Sequence, residues 1–315
     1  MANILLDYAV PFSQITNLPP PSFGFLHKLA VVVLHDVPAT PADVTVVTDP
    51  SQLAALTTHA AELQGAFDGG LSSIILIRVS DIAELPALIE GREGEWYTLF
   101  GHHAIDIDGF ITNTATWGGV CSTVSDDLAD APHASLANVC LFGHVGSSLS
   151  AYNPLLAFGR LLSAATWRNQ QYITTTNLLG LAGTLGICES LFEARVSFWL
   201  QDDDNGNRLG FFAAGGLSIT TPYISKEVEL TIQYQQASFL AVNQPFNVAV
   251  SRNELARLGL KVINQFIEMG YLDPDKENSL TVIDTPEAFT VAGNLVTSPS
   301  VALWRVRMDA FQTQG

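Results

Sequence analysis

The sequence predicts an α/β protein: an α/β sheet domain, then a C-terminal α+β domain, with an extended β-arm at each end. Three observations carry this expectation. Over the first half, short β-branched runs such as "LAVVVL" and "SIILIRV" alternate with amphipathic stretches, the pattern of a sheet covered on both faces. The second half carries a hairpin signal and a long amphipathic helix. Both ends alternate apolar and polar residues as half-buried strands do.

Near the start, Ile4, Leu6, Tyr8 and Val10 fall on alternate positions. The prolines of "TNLPPPSFG" then interrupt the strand, because they have no N–H to give to a ladder and favour a semi-rigid connector. Strands are expected at "LAVVVL" and "VTVVT", a helix from Pro50 to Phe67, a buried strand at "SIILIRV" and a helix from Asp81 to Ile89. Next come a strand at "WYTLF", an acidic loop through Asp126, Asp127 and Asp130, a strand at "VCLFGHV", and a helix from Asn153 to about Thr166.

In the second half, "ARVSFWL" and "RLGFFAAGGL" flank "QDDDNGN", and an Asn-Gly turn between apolar runs predicts a hairpin. Residues 226–242 stay open on periodicity alone. Val228, Leu230, Ile232 and Tyr234 alternate like a strand, while Val228, Ile232, Gln235 and Phe239 fit a helix. Residues 253–269 are helical. Leu255, Leu258, Val262 and Phe266 form one stripe, Arg257, Lys261, Asn264 and Glu268 the opposite face, and Gly270 the stop. "VAGNLVTSPS" reads as a flexible lead-in to the final strand. There Ala302, Trp304, Val306 and Met308 are apolar, against Arg305, Arg307 and Asp309.

Composition narrows the partners. The 315 residues are 48% hydrophobic, ample for a sizeable core. With 31 acidic and 14 basic residues the formal charge is −17, which argues against nucleic acid, whose phosphates need clustered Lys and Arg. Charged residues make up only 14%, so much of the surface is neutral, which suits extensive contacts with other chains. The three cysteines, Cys121, Cys140 and Cys188, are odd in number and far apart, as expected of core thiols in a reducing compartment. No leader pattern opens the sequence and no apolar run is long enough to span a bilayer, so no membrane is expected and a cytoplasmic site of synthesis is.

Motifs for chemistry are weak. In "GHHAIDIDGF", His102, His103, Asp106 and Asp108 carry metal-ligating groups, but adjacent histidines on an extended segment point to opposite faces, so no metal site is expected. "QDDDNGN" has its glycine at the wrong offset for a calcium loop and lacks the closing Glu. "GHVGSS" lacks the lysine and further glycine of a phosphate loop. Cys140 and His144 lie four apart on one strand with no third group in sight. No catalytic residue, cofactor or metal is expected.

From about Ser22 to the C-terminus, the order of features resembles the tail sheath proteins of contractile-tailed bacteriophages, in a compact version. "PSFGFLHKLAVVV" resembles the family's entry into its first buried strand, and "AFDGGLSSIILIRV" its two glycines followed by a strand ending in Arg. The longest match is "SFLAVNQPFNVAVSRNELARLGLKVINQFIEMGYLDP", similar to the segment where a helix ends, a short strand follows and a second helix runs into a Gly-aromatic turn. It departs from the family before the final strand, where an Asn-Arg and aromatic pattern is not obvious.

The resemblance favours the helical reading of 226–242. It implies a non-enzymatic virion protein that polymerises as stacked hexameric rings around the tail tube and contracts. It also implies an N-terminal arm at 1–21, an α/β domain at 22–175, a C-terminal α+β domain at 176–296 and a C-terminal arm strand at 297–315. Ile4, Leu6, Tyr8, Trp304, Val306 and Met308 would then add strands to neighbouring sheath subunits. Arg252, Arg257 and Lys261 would face the tail tube protein. The remaining partners implied are baseplate and tail terminator proteins, the place the virion tail after assembly in host cytoplasm. A cytoplasmic α/β enzyme and another virion structural protein are the alternatives.

Overall fold

The structure, a computed structural model, describes residues 23–34, 43–125, 128–143, 151–164, 167, 190–201, 208–211, 213–215, 217–243, 248–284 and 291–300. Its centre is a six-stranded sheet in the order β2-β3-β1-β4-β5-β6. The strands are β1 (Leu29–Leu34), β2 (Asp43–Val47), β3 (Ile74–Val79), β4 (Thr98–Gly101), β5 (Val120–Ser125) and β6 (Val139–Gly143). β2 runs antiparallel at one edge and every other pairing is parallel, with Val31 opposite both Leu76 and Phe100. The chain is therefore mixed α/β with a parallel-rich sheet.

Alternation along the strands divides the core. Leu29, Val31 and Val33 join one cluster with α2 (Ala60–Asp68) and α5 (Tyr152–Ser163). Ala30 and Val32 join a second cluster with Leu85 and Ile89 of α3 (Leu85–Ile89) and Phe110 of α4 (Ile107–Asn113). Each face is thus buried under helices, which is why β1 and β3 are apolar along almost their whole length.

The helix expected over 50–67 is broken. A 3₁₀ turn (Pro50–Gln52) leads into α1 (Leu53–Leu56), Thr57 is extended at φ −157°, and α2 begins only at Ala60. The break has partners that make it stable. Thr57 Oγ1 accepts the His59 N–H at 3.2 Å, and the Arg78 guanidinium, bound to Asp43, also reaches the Leu56 carbonyl at 3.3 Å. The Asp81 to Ile89 helix is a 3₁₀ turn running into α3, started by a capping box in which Asp81 accepts from Ala83 N and Glu84 reaches back. Neither α4, capped by Asp106 accepting from Gly109 N at 2.7 Å, nor β5, which precedes the acidic segment, was expected.

α2 and α5 cross with their backbones almost touching. A Cβ built on Gly65 would lie 2.3 Å from the Tyr152 carbonyl oxygen, and one on Gly159 would lie 2.4 Å from the Ala66 carbonyl oxygen. The hydrogen bond from Tyr152 Oη to Asp68, 2.6 Å, fixes the crossing at one end.

The second half adds the hairpin of β7 (Phe198–Gln201) and β8 (Arg208–Phe211), whose strands pair as expected; the tip at 202–207 lies outside the described residues. The two-residue strands β9 (Ala213–Ala214) and β10 (Leu217–Ser218) pair antiparallel. Residues 226–242 are helical, within α6 (Thr221–Asn243), and are followed by α7 (Ala249–Glu268) and the antiparallel pair β11 (Ser279–Asp284) and β12 (Val291–Val296). The largest core cluster runs from Phe25 to Leu280 and takes residues from both halves, while the expected boundary at 175 lies outside the described residues. Among the described residues no helix is long and apolar enough to cross a membrane.

Replacing Gly159 by Val pushes a branched side chain into the α2 backbone. Overpacking of this kind costs about 1–3 kcal/mol, so urea unfolding of Gly159→Val should show a lower midpoint with an unchanged slope.

Candidate assembly surface

The expected arm residues Ile4, Leu6, Tyr8, Trp304, Val306 and Met308 lie outside the described residues, as do His144 and Cys188. The remaining candidates are placed. Arg252, Arg257 and Lys261 stand on α7, whose other side buries Leu255, Val262, Ile263 and Phe266. Arg257 and Lys261 are exposed and Arg252 is half-buried. Arg257 grips Glu254 with two donors, Nε at 2.9 Å and Nη2 at 2.6 Å. The bond lowers the Glu254 carboxyl and raises the guanidinium. Two expected tube-facing groups are therefore unlike: Arg257 is engaged on its own helix, and Lys261 is exposed one turn on.

α7 ends where Gly270 predicts. Gly270 takes φ +77°, its N–H donates to Ile267 O and the Tyr271 N–H to Phe266 O, both at 2.9 Å, and the Tyr271 ring packs on Phe266 with centroids 6.1 Å apart. This Schellman turn directs the chain back along α7 into β11. Gly259 on α7 makes room for Leu280 of β11; a Cβ there would lie 2.1 Å from Leu280 Cδ2.

β11 and β12 pair along their full length, from Ser279 opposite Val296 to Asp284 opposite Val291. "VAGNLVTSPS", expected as a flexible lead-in, is thus strand over its first six residues, which pair with "SLTVID". Residues 297–300 are held too. Asp273 N donates to Ser298 O, Ser300 N donates to Tyr271 O, both at 2.8 Å, and Asn278 Oδ1 accepts the Ser298 N–H at 2.7 Å. The described chain is anchored to its own fold as far as Ser300. Among the described residues, this sheet has two strands and leaves both outer edges unpaired.

The same region exposes apolar side chains: Val242, Val248, Val250, Leu260, Met269 and Ile283. They stand on α6, α7 and β11 or at the ends of α7, while Val46, Leu136 and Leu217 are exposed elsewhere.

The two described cysteines lie in the core. Cys140 is fully buried, its thiol pushed up to about 12 by desolvation, and Cys121 is pushed up to about 11 in the same way. Such thiols do not ionise near neutral pH. A groove of about 670 Å³ runs beside Tyr97, Asn138, Leu217 and Leu295, but its charged groups, Lys226 and Glu229, bind each other at 2.8 Å. Asp106 caps α4, and Asp108 contacts His133 at 2.9 Å. His102 and His103 do not lie on opposite faces of an extended strand. The chain turns at His103, and both rings approach Glu62, a residue the sequence did not single out. "HAAE", with His59 three residues before Glu62, was the signal available.

No family model and no curated protein matches the chain. Solved structures do. A chain of the anti-feeding prophage baseplate, determined by cryo-electron microscopy with sixfold symmetrisation, aligns with a TM-score of 0.63 at 14% identity, over 97% of this chain and 99% of that one. A sheath tail protein from Desulfitobacterium hafniense aligns with a TM-score of 0.56 at 11% identity, over 91% of this chain and 99% of that one. The chain has a contractile tail sheath-like fold. The sheath-like fold covers nearly the whole chain, from the parallel sheet to α7 and the β11–β12 pair.

An alanine at position 270 forces an L side chain into the left-handed region, which costs roughly 1–2 kcal/mol. Gly270→Ala should lower the melting temperature by a few degrees and speed amide exchange at Tyr271 and Leu272 before the rest of the chain.

Proposed function

We propose that this chain is a structural subunit of a contractile injection machine of the phage tail type. It polymerises as stacked hexameric rings around a tube and contracts, without catalysis, to drive the tube through an envelope. The likeness along nearly the full length of both chains to a baseplate component and a sheath tail protein is the observation that carries this reading. The sixfold symmetrisation of the baseplate supports hexameric rings.

In this reading 1–21 and 297–315 act as arms, with 22–175 and 176–296 as the two domains between them. The anchored stretch up to Ser300 is the root of the second arm, and Trp304, Val306 and Met308 pair with a neighbour. Ile4, Leu6 and Tyr8 do the same at the other end. The unpaired edges of β11 and β12 are the receiving sheet, since strand addition draws affinity from main-chain hydrogen bonds. Arg252, Arg257 and Lys261 line the inner surface toward the tube, and baseplate and terminator proteins close the two ends. Assembly takes place in a host cytoplasm and the product is a tail. Two packings separated by a few kcal/mol per subunit suffice for contraction, because the difference sums over many copies.

Negative-stain microscopy of the purified chain should show tubular polymers. A chain lacking 301–315 should keep its cooperative melting transition and form none; loss of that transition instead would mean that the last strand completes its own subunit.

Reversing the charges on α7 tests the inner surface separately. Arg257→Glu with Lys261→Glu should scarcely change the subunit's melting temperature, because both side chains are exposed. Tube-free polymers should still form, while assembly of an extended sheath on its tube should fail. Normal extended tails would place the tube contact elsewhere.

A further inference from the structure

The cluster around Glu62 lies apart from the assembly surface, at the carboxyl end of the parallel strands. His102 follows β4 directly, and its N–H continues the ladder by donating to Val32 O at 3.0 Å. Strand alternation, with Phe100 and His102 on one face, turns the imidazole toward the start of α2. There His59, the residue before the helix, and Glu62, in its first turn, stand three apart on one side. His102 Nε2 meets Glu62 Oε2 directly. His59 Nδ1 and His103 Nδ1 lie 3.8 Å and 3.6 Å from the same oxygen.

We propose that His59, Glu62 and His102 form a binding site for one divalent transition-metal ion of the zinc class, with His103 as the adjacent fourth donor. Each of the three offers one ligand atom, and these atoms lie within 4.8 Å of one another. Two imidazoles and a carboxylate are a donor set for zinc, cobalt or nickel rather than for calcium or magnesium, which take oxygen ligands.

Burial and charge support the site. His102 is fully buried and the Glu62 side chain 8% exposed, whereas His59 at 25% leaves a way in for an ion. A buried carboxylate calls for a positive partner. Among the described residues, the charged groups acting on Glu62 are imidazoles. Burial pushes its carboxyl up, but the hydrogen bond with His102 and the nearby imidazole charges outweigh it and hold the carboxyl low. The helix N-terminus further favours an anion there. The His59 and His102 rings are already side by side, with centroids 3.9 Å apart, so swinging the partly exposed His59 about its side-chain bonds adjusts the set. Ligation through His102 Nε2 replaces its hydrogen bond to Glu62 Oε2 with a bond from each of these two atoms to the ion, moves the ring proton to Nδ1 and gives up the 3.3 Å contact from Ala104 N–H.

This site is independent of the assembly reading, and so is its test. Tag-free chain stripped with a chelator is titrated with Co²⁺ and, separately, with Zn²⁺ by equilibrium dialysis. One ion per chain is expected, with the visible bands of four-coordinate cobalt and a melting temperature that rises with added Zn²⁺. His59→Ala, at the most accessible of the three ligands, should weaken binding at least tenfold and abolish the cobalt bands. Glu62→Gln, which keeps shape and removes charge, should do the same. Absence of one-to-one binding in the parent chain, or undiminished binding in a folded His59→Ala chain, overturns the assignment.

Discussion

Tyr223, near the start of α6, ties the C-terminal helices to the parallel sheet. Its ring is fully buried, its hydroxyl bonds Thr98 Oγ1 of β4 at 2.6 Å, Tyr97 meets it edge-on, and Trp167 stacks against its face at 4.9 Å. Tyr97 Oη donates in turn to the Pro222 carbonyl at 3.2 Å. Aromatic pairs of this geometry add about 0.5–1.5 kcal/mol each beyond the area they bury. The position of α6 follows from this contact. α7 packs on α6, and β11 packs on α7, so the candidate assembly surface is referred back to the sheet through Tyr223, the Tyr97–Pro222 bond and the core they share with Ile224 and Val228.

The parts of the fold that could be read in advance are those where one physical signal dominates. β1 and β3 are β-branched because both of their faces are covered, and α7 shows a full apolar stripe with a glycine stop. β5 was missed because it is polar and buried. Ser122 donates to Cys140 O at 2.9 Å, Thr123 to Gly101 O at 3.1 Å, and Ser125 bonds Asp130, so hydroxyls satisfied within the sheet stand where apolar residues were sought. The break at Thr57 was equally hidden, since Arg78 reaches Leu56 across 22 residues. Residues 226–242 could not be settled by periodicity, because most of that helix is only half-buried and its stripe is diffuse.

The sites divide in the same way. Arg257 and Lys261 were visible because helical spacing puts them on one face, yet the Glu254 pair, three residues away, decides what Arg257 is free to do. The Glu62 cluster needed the sheet. His59 and Glu62 are neighbours on a helix, but His102 joins them only through the register of β4 beside β1, and His103 only through a turn that alternation does not foresee. In a chain with 14 basic residues against 31 acidic ones, such imidazoles are valuable counter-charges. Arg78, Arg92, Lys226, Arg257 and Lys276 each already contact an acid.

The bonds that hold Ser298, Pro299 and Ser300 against Tyr271, Leu272 and Asp273 have a mechanical meaning. Tension applied to the chain from beyond Ser300 meets these bonds before it meets β12. They lie beside the Schellman turn, and Ser298 is also bonded to Asn278 and Glu277 just before β11, so the load would be shared between the end of α7 and the start of the hairpin. In the proposed assembly these bonds would act as a strain-relief clamp at the root of the second arm.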